Sequence, residues 1–120
     1  MISPPTYEIY AVKYAGPFTR PVAKVFWNSD WEKEIKINYY IWAIKGKEEI
    51  LIVDCGMSPP LAQEMGLQGY VNPVHVLKGI GIEASQVQRV VIIHIHFDHA
   101  NGIGLFPKAT FYVQKKEFNF

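Results

Sequence analysis

Hydrophobic and polar positions change rhythm along the chain, and the changes predict its elements. "YEIYAVKYA" (7–15) has the aromatic and β-branched content of a strand. "GPFTRPVAKVFWNSDWEKE" (16–34) interrupts it with two prolines and an Asn-Ser-Asp cluster, which predicts a loop. Over 35–56, "IKINYYIWAIKGKEEILIVDCG" reads as two strands folded over a turn at Lys45, Gly46 and Lys47, the first alternating and the second nearly all apolar. Continuous apolar runs mark strands covered on both faces, as in parallel sheets. "ILIV" (50–53) and "RVVII" (89–93) are therefore expected to be neighbouring, parallel and nearly inaccessible. Between them, 57–73 is turn-rich, and Asn72 is placed to cap a short helix that has Pro73 at its first position and runs to about Gly79. "EASQVQRV" (83–90) adds one helical turn before a strand over 89–94. A helix is expected to start after Asp98 and to end at Pro107, followed by a last strand, "ATFYVQ" (109–114). Strands alternating with helices predict a layered α/β arrangement in one domain, residues 1–120, with no internal repeat.

Composition narrows the function classes. The 120 residues carry a formal net charge of +1, which gives no electrostatic footprint for nucleic acid. No apolar stretch approaches the roughly 18 residues of a membrane span. "MISPPTYEIY" lacks the basic and apolar regions of a signal peptide, and one cysteine, Cys55, cannot form an internal disulfide. A cytoplasmic protein with no nucleic-acid or membrane partner is the expectation.

The chemistry concentrates in "VVIIHIHFDHANGIG" (90–104), where an apolar run meets three histidines and an aspartate within six positions. His94 and His96 lie two apart, so at the end of an extended strand their side chains share one face and can converge on one ion. Asp98 and His99 follow after one spacer, where a tight turn would aim both at a second position beside the first. Packing gives no reason for three imidazoles and a carboxylate to cluster, whereas metal binding does.

His-x-His-x-Asp-His after a buried strand resembles the metallo-β-lactamase superfamily, here as His94, His96, Asp98 and His99. "ILIVDCG" resembles the same family's strand ending in Asp-x-Gly and puts Asp54 on that aspartate. "YYIWAIKGKEEILIVDCG" (39–56) is most similar to the N-acyl homoserine lactonase branch. Two positions depart from the pattern without removing a ligand: Ile93 stands where threonine is common, and Cys55 where Asp-Thr-Gly is usual.

The resemblance implies a fold, a site and a reaction. The fold is an αββα sandwich of two similar halves, of which this chain matches the N-terminal one. The cofactors implied are two divalent metal ions, zinc first, with iron, manganese or cobalt also compatible with these donors. His94 and His96 belong to one ion and Asp98 and His99 to the other, with Asp98 also the proton donor to the leaving group. Asp54 orients a histidine N–H or the turn around the site. The reaction is hydrolysis of a small ester, lactone or thioester by a metal-bound hydroxide. A catalytic zinc normally has three protein ligands plus water, and two per ion implies that a complementary C-terminal half, or a second copy, completes the site. An iron-dependent persulfide-type dioxygenase shares the motif, and a metal-free binding module is the non-catalytic alternative. Cys55 reads as a small buried residue and His75 as an ordinary helix residue. Trp27, Trp31, Tyr39 and Tyr40 are candidates to line a substrate mouth or, more simply, to pack.

Overall fold

The computed structural model describes residues 3–119. One sheet has the strand order β1-β2-β3-β4-β5, with β1 at Glu8–Pro21, β2 at Glu34–Lys45, β3 at Ile50–Val53, β4 at Arg89–Ile92 and β5 at Thr110–Val113. β1 and β2, and β2 and β3, pair antiparallel, while β3 and β4, and β4 and β5, pair in parallel. The helices are short: α1 (Val22–Val25), α2 (Pro59–Glu64), α3 (Pro73–Gly79), α4 (Phe97–Ala100) and α5 (Lys115–Phe118). Among the described residues no helix is long and apolar enough to cross a membrane. The α/β class read from the sequence is the one observed.

Local chemistry explains several elements directly. Pro73 opens α3 where a missing N–H costs nothing, and the Asn72 side chain accepts from Val74 N at 3.0 Å. Between β2 and β3, Gly46 N donates to Glu49 O at 2.8 Å and closes the expected turn. Ala84–Gln86 form the single turn of 3₁₀ helix expected before β4. After α4, a 3₁₀ stretch continues to Leu105, two residues short of Pro107.

Four expectations are corrected. Residues 16–21 are strand rather than loop, because a register shift between Ala15 and Phe18 absorbs Gly16 and Pro17, and pairing resumes at Phe18↔Ile37. The turn-rich stretch 57–73 contains α2, since Pro59 and Pro60 occupy the first helical positions, where proline is tolerated. Strand β4 ends at Ile92, so His94 lies beyond it.

The fourth correction concerns burial. One face of the sheet holds the core: Tyr10, Ala43, Ile52, Val90 and Phe111 lie in register across five strands, and Leu77, Ile82, Val87 and Phe106 pack with them. The next row, on the opposite face, is Ala11, Trp42, Val53, Val91 and Tyr112. It is apolar yet open, with Trp42 40% and Tyr112 49% exposed. The runs "ILIV" and "RVVI" are thus parallel neighbours as expected, but they are covered on one face only.

Candidate metal centre

The parallel strands β3 and β4 end side by side, and the sequence-predicted site residues gather at that edge, where open α/β sheets place their ligands. Asp54 follows β3 directly. Its φ of +63° turns the chain away from the strand direction, in a region that aspartate tolerates better than most residues. The turn is pinned on both sides. Asp54 N donates to Val91 O at 2.7 Å, and Cys55 N donates to His99 O at 2.8 Å.

The Asp54 carboxylate is 1% exposed and has two partners. Oδ1 accepts from Ile93 N at 2.9 Å, and Oδ2 lies 2.6 Å from His99 Nδ1. A carboxylate can only accept, so the Asp54 contact places a proton on His99 Nδ1 and leaves Nε2 to face Asp98. Nε2 lies 3.3 Å from Asp98 Oδ2. The ring of His94 packs on His99 with centroids 3.9 Å apart, and that of His96 meets His94 edge to face at 4.6 Å and 85°. All five residues singled out in the sequence therefore lie in one connected cluster. Among the described residues, however, no three His, Cys, Asp or Glu side chains are arranged to hold an ion. The imidazole rings pack on one another instead of splaying around a common point.

The donor set itself, three imidazoles and a carboxylate, suits zinc and its first-row neighbours. The His99 pairing fits that chemistry, because a carboxylate on the inner nitrogen is the usual support for a metal-bound imidazole.

Several supporting residues carried no signal in the pattern of positions. Tyr14, fully buried on β1, donates its hydroxyl to Asp98 O at 2.7 Å across 84 residues. Burial, and then the negative charge of Asp98, push that hydroxyl well above its ordinary pKa, so it stays a donor. Gly102 sits where a Cβ would lie 2.3 Å from Cys55 O, and its N–H donates to Gly56 O at 2.8 Å. Asn101 Oδ1 accepts from Ser58 N at 2.8 Å and from Ser58 Oγ at 2.7 Å, tying the segment after α4 to the start of α2. A tyrosine in a strand or a glycine after a motif looks ordinary in one dimension; only a contact map would have marked them.

Beside Asp98 and His99 opens a cleft of about 330 Å³, walled by Asn38, Tyr39, Tyr40 and Trp42 of β2. Tyr39 and Tyr40 are thus at the mouth, while Trp27 and Trp31 are not among its walls. Trp27 is 95% exposed. His75 is an exposed residue of α3, and Cys55 is fully buried, its Sγ donating to His99 O at 3.2 Å.

Residues 37–117 match the metallo-beta-lactamase superfamily. The chain belongs to it. Among curated relatives it is 29% identical over 98 residues to the N-acyl homoserine lactonase AiiA of Bacillus thuringiensis subsp. kurstaki, a match covering 68% of this chain and 39% of that protein. It is 43% identical over 44 residues to the N-acyl homoserine lactonase AttM of Azorhizobium caulinodans, covering 37% of this chain and 17% of that one. The fold is that of superfamily lactonases: a quorum-quenching N-acyl homoserine lactone lactonase superposes with a TM-score of 0.73 at 21% identity, over 94% of this chain and 47% of its own. AidC, a dizinc quorum-quenching lactonase, superposes with a TM-score of 0.64 at 19% identity, over 95% of this chain and 43% of its own. The chain thus spans less than half the length of these relatives, and it matches their N-terminal part.

Proposed function

We propose that the protein carrying this chain is a metal-dependent hydrolase of a small lactone or ester, with N-acyl homoserine lactones as the leading substrate class. The observation that carries this reading is the pairing of Asp54 with His99 at 2.6 Å, which turns His99 Nε2 toward Asp98 and sets it beside the two other imidazoles. The relatedness to N-acyl homoserine lactonases supports the substrate class.

In this reading His94 and His96 hold one divalent ion and Asp98 and His99 a second, zinc in both cases by preference. Bound ions of this kind bring a water nucleophile into range at neutral pH and polarise a carbonyl. The chain's own residues supply the rest. Asp54 fixes the tautomer and ring direction of His99, and Tyr14 anchors the Asp98 backbone so that its carboxylate keeps a constant direction. The Asp98 carboxylate would take up the proton released by the attacking water and pass it to the departing alkoxide, a role worth about 10² to 10⁴ in rate. Tyr39, Tyr40 and Trp42 offer apolar walls to the substrate's acyl portion. Further ligands come from a complementary C-terminal half, which also covers the open row from Ala11 to Tyr112.

The test is hydrolysis of N-acyl homoserine lactones by the natural protein before and after chelation. Activity should vanish with the metal and return with zinc. Asp98→Asn should lower kcat by one to several decades. Lactone hydrolysis that is indifferent to chelator and to Asp98→Asn would refute the proposal.

A further inference from the structure

Beyond β4, the segment that carries His94 and His96 leaves the sheet and makes no ladder pairs. Along a parallel strand, the N–H groups of successive residues point alternately to the two neighbouring strands. Ile93 N–H faces the β3 side and donates to Asp54 Oδ1 at 2.9 Å. Continued extension would turn Ile95 N–H to that side again. It turns instead to the other side and donates to Glu117 Oε2 at 3.2 Å. The chain has therefore rotated between Ile93 and Ile95, about His94, whose ring meets that of His96 edge to face at 4.6 Å.

Glu117 arrives by the same route. The last pair of the β4–β5 ladder is Ile92↔Val113, after which both chains leave the sheet side by side. One turn of α5 from Gln114, closed by Glu117 N donating to Gln114 O at 3.0 Å, brings the half-buried Glu117 carboxylate to the height of Ile95. Two carboxylates, one from each flanking strand end, thus grip the segment at Ile93 and Ile95, on either side of His94.

We propose that Glu117 is a positioning residue for His94 and His96: by accepting from Ile95 N–H it sets the rotation that directs both imidazoles. The inference rests on the hydrolase reading only in supposing that those imidazoles bind metal. The grip itself is a property of the chain.

The natural protein, wild type and two variants, tests it with cobalt(II) alone as the probe. Glu117→Met keeps the bulk and removes the acceptor, whereas Glu117→Gln keeps an acceptor oxygen. In Glu117→Met, Ile95 amide exchange should accelerate selectively, with Val91 unchanged, and cobalt affinity should fall about 10- to 100-fold, the usual range for losing an outer-shell partner. Glu117→Gln should restore most of both. Unchanged Ile95 exchange in Glu117→Met overturns the proposal, as does a Glu117→Gln variant no better than Glu117→Met. Tight cobalt binding in wild type and Glu117→Met alike also overturns it, while leaving the hydrolase reading standing. If wild type binds no cobalt but Ile95 exchange still depends on Glu117, the hydrolase reading fails and the grip is upheld.

Discussion

Asp54 Oδ2 and His99 Nδ1 lie 2.6 Å apart across 45 residues of sequence, joining the end of β3 to the helix after β4. The pair links stability to chemistry. Its carboxylate closes a buried turn and at the same time decides which nitrogen of His99 faces Asp98.

Asp54→Asn should separate the two roles. Asparagine tolerates the positive φ and its oxygen can still accept from Ile93 N, so the unfolding midpoint should drop only modestly. The amide NH₂ then faces His99 Nδ1, which must become the acceptor, and the proton moves to Nε2. Zinc affinity of the natural protein, followed by competition with a chelating dye, should fall about 10- to 100-fold. Asp54→Ala should cost more in folding, about 2 to 4 kcal/mol, because it leaves two part-buried donors, Ile93 N and His99 Nδ1, without a partner.

Gly102→Ala is expected to be severe for a single methyl group. The added Cβ would meet Cys55 O at 2.3 Å, and a backbone oxygen held in the turn after Asp54 cannot step aside cheaply. Overpacking of this kind costs about 1 to 3 kcal/mol. Calorimetry should record a fall in Tm of several degrees, whereas Gly104→Ala, where a Cβ meets nothing, should leave it nearly unchanged.

Cys55 should be inert in the folded protein. Burial, reinforced by the neighbouring Asp54 charge, pushes its thiol from 9.0 up to about 12. Iodoacetamide at pH 8 should label it only after denaturation. The folded protein holds this proton more tightly than the unfolded chain does, so the contribution to stability is complete below pH 9 and declines as pH rises from 9 towards 12. Tyr70, raised by burial from 10.0 to about 12, acts in the same direction. Urea midpoints measured from pH 8 to 11 should decrease, and less steeply in Cys55→Ala.

Trp42→Lys and Tyr112→Lys address the open face of the sheet. Both side chains stand in the row that runs across all five strands opposite the core. Residues 1–120 expressed by themselves should bind a hydrophobic dye and self-associate in sedimentation runs. Either substitution should reduce association and leave the unfolding free energy from urea titration within about 0.5 to 1 kcal/mol of wild type, since little buried contact is lost.

What the sequence by itself determined is what depends on neighbours a few residues away. The Asn72-Pro73 start of α3, the turn closed by Gly46, the existence of the strands and the gathering of three histidines and an aspartate into six positions all follow from local chemistry. So does the superfamily, because its motif is contiguous. Tertiary structure decided everything that needs two distant segments in register. It carried β1 through Pro17, because a partner strand was there to resume pairing at Ile37. It covered "ILIV" on one face only, because apolar content states a preference for burial but cannot supply the layer that buries. It ended β4 at Ile92, where the bonds offered by Asp54 and Glu117 replaced a ladder. And it brought Tyr14, Gly102 and Glu117 against the segments that carry Asp54 and the histidines, since a hydrogen bond or a close approach across tens of residues leaves no periodicity in the chain that makes it.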